Sequence, residues 1–435
     1  MQTSNSQINA LAALTAQAHS PFHCCSYCMD ELKKNGFQEL NPKAPFKLRA
    51  GGKYFINIYD TTCLAFTLGE GIGKNKTPRL RMITSHTDWP TFLIKPHPEI
   101  CSDEYGRLNV EPYGGAVYTS WLDRPLGIAG KVCTRGADPF HPIVHLVDSH
   151  NPVAVIPGLA IHMNHEINDG SKLNPQLHML PLASLKKYRE EKDFFGSYLE
   201  TLTGTPKDEI LDYELYLYNA DECVCTGIDA ELFSAPRIDN CSSVAAALEA
   251  VATASPKDDL ICFAAFYHNE EIGSTTKQGA NSGLTFGILE RIFETLGLTR
   301  EHLRCALADG ICLSLDVAHA LHPNYPDKND LTNHVCLGDG VALKLSSRQA
   351  YATDSSFVSI IQALCEKNQI PYKKFVNRSD LRGGSTLGSI TSARLNIPCV
   401  DAGVPLLSMH SARELIACED QTALCRLAAA LFCTE

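Results

Sequence analysis

Histidine and carboxylate side chains recur beside predicted strand ends in this 435-residue chain, and their types suit a divalent metal site. Imidazole nitrogens and carboxylate oxygens bind zinc, and they also accept manganese or cobalt. Ligands of open α/β sheets bind beyond the carboxyl ends of the strands, so side chains at several such ends can converge. The segments are Ser85–Pro90, Arg237–Asn240, Asn269–Gly273, Leu315–Pro323 and Ser408–Ser411.

Each segment alone is a weak signal, because a single His or Asp after a strand is most often a turn residue. The adjacent pair Glu270-Glu271 is more informative, since it closely follows the apolar run Leu260–Tyr267. Two like charges beside a buried strand need a cation to offset them. Five such segments in one chain make an accidental arrangement improbable. The sequence therefore predicts a metal site assembled from distant parts of the chain.

The elements that must position these segments change in character along the chain. After Phe233, the helical pattern Ser242–Val251 and the strand Leu260–Tyr267 are followed by the helix Leu284–Leu296 and the strand Ile311–Leu315. This alternation is typical of an α/β sheet with helices on both faces. Between about residues 92 and 232, short β-like stretches alternate with Pro, Gly and Asn. We therefore expect one α/β domain from residues 1–91 and 233–435, interrupted by a β-rich domain at 92–232.

Three local predictions accompany this architecture. The stretch Val117–Trp121 is expected to be β-like. A helical stretch is expected around Pro181–Gly196, inside the β-rich region. The last helix is expected to begin at Ser411, whose hydroxyl is a good N-cap.

The composition excludes several classes of protein. A formal charge of −11 disfavours nucleic acid and anionic lipid as partners. The longest apolar run, Leu260–Tyr267, is far shorter than the ~20 residues needed to span a bilayer. Met1–Ser20 has neither a basic cluster nor a continuous apolar core, so it does not read as a secretory signal. We expect a cytoplasmic protein with no nucleic-acid or membrane partner.

Competing local motifs fail on their spacing. Gly69, Gly71 and Gly73 match neither of the two glycine patterns that hold phosphates. The segment His162–Glu166 matches neither zinc-binding arrangement of two histidines and a glutamate on one helix. The G-x-S-x-G pattern of serine hydrolases does not occur in the sequence.

Taken together, the motifs resemble those of the aspartyl aminopeptidases, which are dinuclear-zinc exopeptidases. The resemblance runs nearly from end to end, and its most specific part is Asp316–Tyr325. It implies a mixed-sheet α/β exopeptidase domain with an inserted β-rich dimerisation domain. The other matching segments are Ser20–His23, His86–Pro90, Asp123–Leu126, Ala160–His162, Arg237–Asn240, Asn269–Ser274 and Met409–Ser411.

The same resemblance implies a role for each site residue. Asp239 would bridge two divalent metal ions, taken to be zinc. His86 and Asp316 would complete one coordination sphere, and Glu271 and His410 the other. Glu270 would be the general base, and Asp88 would orient His86 as a supporting carboxylate. These roles suit two ions that clamp the attacking water and the scissile carbonyl.

Substrate recognition is also implied by the resemblance. Lys344 would bind an acidic N-terminal side chain, with Tyr351 nearby, and His319 would bind substrate close to the metals. His162 would reach into the site of a neighbouring subunit of a homododecamer built from dimers. The alternative for Lys344 is an exposed lysine on an edge strand.

The sequence is thus interpreted as a metallo-aminopeptidase that removes N-terminal Asp or Glu from peptides with a free N-terminus. One alternative is the same chemistry with a preference for neutral residues. Another is a non-catalytic metal-binding or assembly protein, which the presence of all five ligand candidates and Glu270 disfavours. A carboxypeptidase or deacylase of related architecture is a more distant alternative.

Overall fold

A computed structural model describes residues 5–73, 76–102, 104–170, 172–185 and 193–434. The helices are α1 (Ser6–Thr15), α2 (Pro21–Lys34), α3 (Pro175–His178), α4 (Phe194–Thr203), α5 (Ile238–Thr253), α6 (Leu284–Thr295), α7 (Arg300–Ala308), α8 (Ser355–Lys367), α9 (Leu387–Leu395) and α10 (Cys418–Cys433). The first ten strands are β1 (Gln38–Glu39), β2 (Lys53–Ile58), β3 (Thr62–Leu68), β4 (Arg79–His86), β5 (Thr91–Ser102), β6 (Tyr105–Tyr113), β7 (Leu126–Thr134), β8 (Ile143–Asp148), β9 (Leu182–Leu185) and β10 (Ile210–Asn219). The remaining ten are β11 (Val224–Thr226), β12 (Leu232–Ala235), β13 (Leu260–Tyr267), β14 (Ile311–Leu315), β15 (Ala318–His319), β16 (Val341–Leu345), β17 (Tyr372–Val376), β18 (Cys399–Gly403), β19 (Pro405–Leu406) and β20 (Glu414–Ala417).

A nine-stranded mixed sheet forms the centre of the fold, in the order β1-β2-β3-β13-β4-β14-β18-β16-β17. Its middle strands β13, β4, β14 and β18 run parallel, whereas β3 and β16 run antiparallel to their inner neighbours. One face packs against α1, α2, α5, α8 and α10, and the other against α6, α7 and α9. The predicted α/β sheet with helices on both faces is confirmed.

Strand β13 shows why the sheet forms where it does. All eight of its residues are apolar and buried, as expected of a strand covered on both faces. Its side chains alternate, so that Phe266 packs in one core cluster and Tyr267 in the other. In the parallel register with β4, Tyr267 lies opposite His86. The residues that follow β13 and those that end β4 therefore lie at the same edge of the sheet.

Residues 91–219 build a second, antiparallel sheet of six strands in the order β8-β7-β10-β5-β6-β9. It has its own core, which includes Phe92, Leu108, Ile128 and Leu215. The β-rich character expected of this region is therefore present. A small third sheet joins β11 and β12 to β20 near the end of the chain.

Three local predictions differ from the structure. Tyr118–Trp121 is a 3-10 helix, not a strand, and its Trp121 packs edge-on against Phe92. The start of the stretch expected to be helical is strand β9, which pairs with β6; residues 186–192 lie outside the described residues, and α4 begins at Phe194. The last helix begins at Cys418, because Glu414–Ala417 first pairs with β12 as strand β20.

Among the described residues, none of the helices combines the length and the apolar character needed to cross a membrane.

Candidate metal centre

Three strands of the central sheet and helix α5 deliver polar side chains to one edge. Strand β4 ends at His86, and Asp316 directly follows β14. Glu270 and Glu271 lie on a 3-10 turn shortly after β13. Asp239 is the second residue of α5, where the backbone is not yet helical. Because the three strands are parallel, their carboxyl ends meet, as the sequence predicted.

The first group of side chains is His86, Asp239 and Asp316, all buried. His86 Nε2 lies 3.5 Å from Asp239 Oδ1 and 3.6 Å from Asp316 Oδ1. These separations exceed ordinary hydrogen-bond lengths. Two atoms that each lie ~2.0–2.1 Å from a tetrahedral zinc ion are roughly 3.4 Å apart, so the spacing fits a shared cation.

The second group is Asp239, Glu271 and His410, and it uses the other oxygen of the same aspartate. His410 Nε2 lies 3.5 Å from Asp239 Oδ2 and 3.6 Å from Glu271 Oε2. Asp239 Oδ1, which faces the first group, is buried and has no hydrogen-bond partner. A buried carboxylate oxygen without a partner is costly. Both donor sets therefore fit a divalent cation.

Hydrogen bonds fix which nitrogen of each histidine faces these groups. His86 Nδ1 lies 3.0 Å from the backbone carbonyl of Asp88, and His410 Nδ1 lies 3.1 Å from that of Gly115. A carbonyl only accepts hydrogen bonds, so each Nδ1 carries the proton. Each Nε2 then keeps a lone pair directed at the carboxylates, as a metal ligand requires.

Asp88 organises the turn that carries the two glutamates. Its carboxylate accepts the backbone N–H of Glu270 and that of Glu271, each at 3.2 Å, and the hydroxyl of Tyr113 at 2.7 Å. Burial opposes its ionisation, but His268 and His86 outweigh burial and hold the pKa of Asp88 well below its usual range. The carboxylate lies 3.7 Å from His86 Nδ1, so the carbonyl makes the closer contact with that ring.

Glu270 lies in the same cluster as Asp88, but the pKa of its carboxyl group is raised and not lowered. Burial, together with the nearby carboxylates of Asp316, Asp88 and Asp239, raises the pKa of its carboxyl to about 8 against the opposing effect of His86. Its pKa therefore lies in the range in which a carboxyl group can both accept and return a proton near neutral pH.

Glu414 is the residue of this centre that sequence reasoning missed. Its side chain is buried, and its two carboxylate oxygens accept the backbone N–H groups of Asp239 and of His410, each at 2.9 Å. One carboxylate thus ties together two segments that carry metal-ligand candidates. The available signal was a lone acidic residue at the head of the otherwise apolar segment Leu415–Ala417, four residues after His410.

A cavity of about 400 Å³ opens on these groups, and its walls include His319, Lys344 and Tyr351. Lys344 is 2 % exposed, and its ammonium donates to the carbonyl of Val317 at 2.8 Å and lies 3.4 Å from Asp316 Oδ2. Burial opposes its charge, but Asp316 and Tyr351 outweigh burial and raise the pKa of Lys344. The alternative of an exposed edge lysine is wrong, because β16 lies between β18 and β17.

The remaining predicted residue, His162, does not join this cavity in its own chain. It lies exposed on the 3-10 turn Ile161–Met163, beside His165. Every other predicted site residue except Asp88 lines the cavity, and Asp88 lies directly behind it.

Comparison with known proteins is consistent with this geometry. A family model described as aminopeptidase I zinc metalloprotease (M18) matches residues 14–432. The chain belongs to the M18 family. A probable M18 family aminopeptidase 2 of Clostridium acetobutylicum is 41 % identical over 398 residues, which cover 91 % of each chain. A protein of the same description from Clostridium novyi is 40 % identical over 417 residues, or 95 % of each chain.

Solved structures show the M18 fold as well. A chain of the Ape4 and Nbr1 complex superimposes with a TM-score of 0.93 at 27 % identity, covering 99 % of this chain and 87 % of that one. Yeast aminopeptidase 1 (Ape1) gives a TM-score of 0.85 at 26 % identity, over 98 % of this chain and 97 % of the yeast one. This M18 protein is therefore a zinc metallo-aminopeptidase by family, and its histidine and carboxylate groups are the residues available to hold the metal.

Proposed function

We propose that this M18 aminopeptidase removes an N-terminal Asp or Glu from peptides, using two divalent ions bridged by Asp239. The observation that carries the proposal is the placement of the two oxygens of Asp239, each 3.5 Å from the Nε2 of a different histidine. His86 and Asp316 would hold one ion, and Glu271 and His410 the other.

The charge of the site supports two ions instead of one. Six buried or half-buried carboxyl groups lie together here, and Lys344 is the one lysine or arginine that lines the cavity among the described residues. Their negative charge exceeds what Lys344 and a single divalent ion would offset, so two divalent cations fit the site better than one. The carboxyl groups are Asp88, Asp239, Glu270, Glu271, Asp316 and Glu414.

Bound zinc would lower the pKa of water and polarise the scissile carbonyl. The residues of the chain supply proton transfer and position. Glu270 accepts the proton of the attacking water and returns it to the leaving amine, because it has no partner among the close His–carboxylate pairs. Asp88, which does not line the cavity, accepts a hydrogen bond from the backbone N–H of Glu270 and so keeps that residue in position.

The acidic preference is assigned to Lys344. An ammonium has three N–H donors, and the structure records two acceptors for it, Val317 and Asp316. The third donor is available to a carboxylate in the cavity, where Tyr351 lies 4.9 Å below the ammonium. A buried cation with a free donor attracts an acidic side chain far better than a neutral one.

Self-association and location complete the proposal. The S. cerevisiae mApe1 structure, with a TM-score of 0.84 at 26 % identity, is described as a dodecamer. We assign the same assembly to this chain, with residues 92–232 as the dimerisation domain and His162 reaching a neighbouring site. Ile143, Val144 and Leu146 on the edge strand β8 are exposed, which favours burial against another subunit. The cytoplasm is the proposed compartment.

Two measurements on the purified protein test this function. Elemental analysis should find two divalent ions per chain, and one or none would contradict the bridged pair. Hydrolysis of Asp, Glu and Leu anilides should favour the acidic two, and N-acetylation of the Asp substrate should abolish cleavage. Faster cleavage of the Leu anilide would favour the neutral alternative, and no turnover with added metal would favour a non-catalytic protein.

A further inference from the structure

A second cavity, of about 460 Å³, adjoins the metal centre. His319 and Met409 belong to the walls of both cavities. The loop that contains Gly383 and Gly384 continues this shared wall, since Gly383 lines the second cavity and Gly384 the first. A ligand that extends beyond the metal centre past His319 therefore enters the second cavity.

The charged side chains of the second cavity are mainly cationic. Lys328, Arg378 and Arg382 line it, against one carboxylate, Asp330. One oxygen of that carboxylate, Oδ1, is already engaged, because it accepts the backbone N–H groups of Thr332 and Asn333 together with the side-chain amide of Asn333.

Arg382 is the cation of this cavity that is free to bind a ligand. Arg378 forms a bidentate pair with Asp380 and donates to the carbonyl of Asp327. Lys328 lies 3.8 Å from the carboxylate of Asp327. For Arg382, the described part of the chain offers no ion pair or hydrogen bond. A guanidinium with its fork of donors open is suited to a carboxylate.

We propose that the second cavity is the subsite for the leaving part of the peptide, and that Arg382 selects an acidic side chain in the second residue. This inference rests on the proposed aminopeptidase function. The N-terminal residue occupies the cavity at Lys344, so the chain on the other side of the scissile bond passes His319 into the second cavity. Apolar walls such as Phe375 and Leu407 accommodate the backbone and apolar side chains there.

The test compares peptides that differ at one position. Asp-Glu-Ala, Asp-Gln-Ala and Asp-Lys-Ala, all amidated to remove the terminal carboxylate, are cleaved by wild type, Arg382→Gln, Arg382→Glu and the control Arg304→Gln. Arg304 is an exposed arginine of α7 outside both cavities. Wild type should favour Glu over Lys about fivefold in kcat/KM, the scale of a solvent-accessible ion pair. High salt should shrink this ratio.

The ratio of the two rates within each variant separates specificity from general damage. Arg382→Gln should bring the Glu-to-Lys ratio near one, Arg382→Glu should invert it, and Arg304→Gln should keep the wild-type value. A ratio near one in wild type, or a ratio unchanged by Arg382→Glu, would overturn the subsite assignment while Asp-anilide cleavage still upheld the aminopeptidase. If wild type cleaves neither the peptides nor the Asp anilide, the proposed function itself is refuted.

Discussion

The carboxylate of Glu414 accepts the backbone N–H of Asp239 at 2.9 Å, from within the protein interior. Its other oxygen holds the backbone of His410 in the same way. The two oxygens of one side chain therefore set the distance between two segments that approach the metal centre from different elements. Glu414 is a positioning residue: it does not take part in the reaction, but it holds two residues that are candidate metal ligands.

Replacement of Glu414 by Gln should weaken metal binding. Glutamine keeps one acceptor oxygen but turns its amide N–H₂ towards the second backbone donor, so one of the two segments loses its anchor. We expect a roughly 10- to 100-fold loss of zinc affinity, the usual effect of removing a group that supports metal ligands. Chelator competition measures this, with the exposed Glu419→Gln as control. Unchanged affinity would contradict the positioning role.

Glu270 and Glu271 should separate into different functions. Glu270→Gln is expected to retain the metal and to lower kcat by roughly 10²- to 10⁴-fold, because proton transfer is lost. Glu271→Gln is expected to lose metal, since Glu271 Oε2 lies 3.6 Å from His410 Nε2. Metal content and kcat, measured on both variants, decide the point. A Glu270→Gln enzyme as active as wild type would refute the assigned base.

Lys344→Met should abolish the acidic preference while keeping most of the side-chain volume. A substrate carboxylate that enters the cavity would lose its buried cationic partner, and the loss of one partner of a buried charge pair typically costs 2–5 kcal/mol. The ratio of Asp-anilide to Leu-anilide kcat/KM should therefore fall about 100-fold. Because the ratio is taken within the variant, general damage does not affect it. An unchanged ratio would show that Lys344 does not determine the acidic preference.

Removal of metal should destabilise the fold around the sheet edge. Without cations, the carboxylates around Asp239 repel one another in a buried site. A ligand at 1,000 times its dissociation constant stabilises a protein by about 4 kcal/mol per site. Urea unfolding with excess zinc and with chelator should therefore give clearly different midpoints. The difference should shrink in Asp239→Asn, and equal midpoints in wild type would contradict a structural contribution of the metals.

His23, near the start of α2, should make stability depend on pH away from the metal centre. Burial lowers the pKa of its imidazole to about 4, against an opposing effect of Asp148. The unfolded chain binds the proton below pH ~6.5, so the contribution is present above that pH and is lost as the pH falls towards 4.

Wild type should therefore lose about 1–2 kcal/mol of unfolding free energy relative to His23→Gln between pH 7.5 and 5. Denaturant unfolding at both values measures it. The exposed His97→Gln serves as the control and should show no such change. A pH-independent difference for His23→Gln would show that its charge does not matter.

The meeting of distant polar side chains at one edge of the sheet was predictable from the sequence. His86, Asp316 and Glu270 lie at or shortly after strands whose apolar patterns are readable, and parallel strands end at the same edge. The individual roles came from the family resemblance and stay predictions. Glu414 was not predictable in the same way, because its role consists of bonds to backbone N–H groups that only the folded chain brings together. The burial of Lys344 could not be predicted from the sequence either, because the alternation of apolar and polar residues is the same on an edge strand and on an inner strand.

Secondary-structure differences have a similar origin. Ser411 is a good helix cap in isolation, but the residues after it pair with β12 before the helix begins. Long-range strand pairing therefore overrode the local signal. The same competition placed β9 against β6 where a helix was expected.

Tyr113 and Gly115 come from the end of the six-stranded sheet and the turn after it, yet they touch Asp88 and His410 in the metal centre. The region of the six-stranded sheet therefore contributes contacts to the metal centre. A shortened enzyme with this region cut out would lose the carbonyl that fixes the His410 tautomer. Any minimal active version of this protein must keep both regions, and the two should gain or lose order as one cooperative unit.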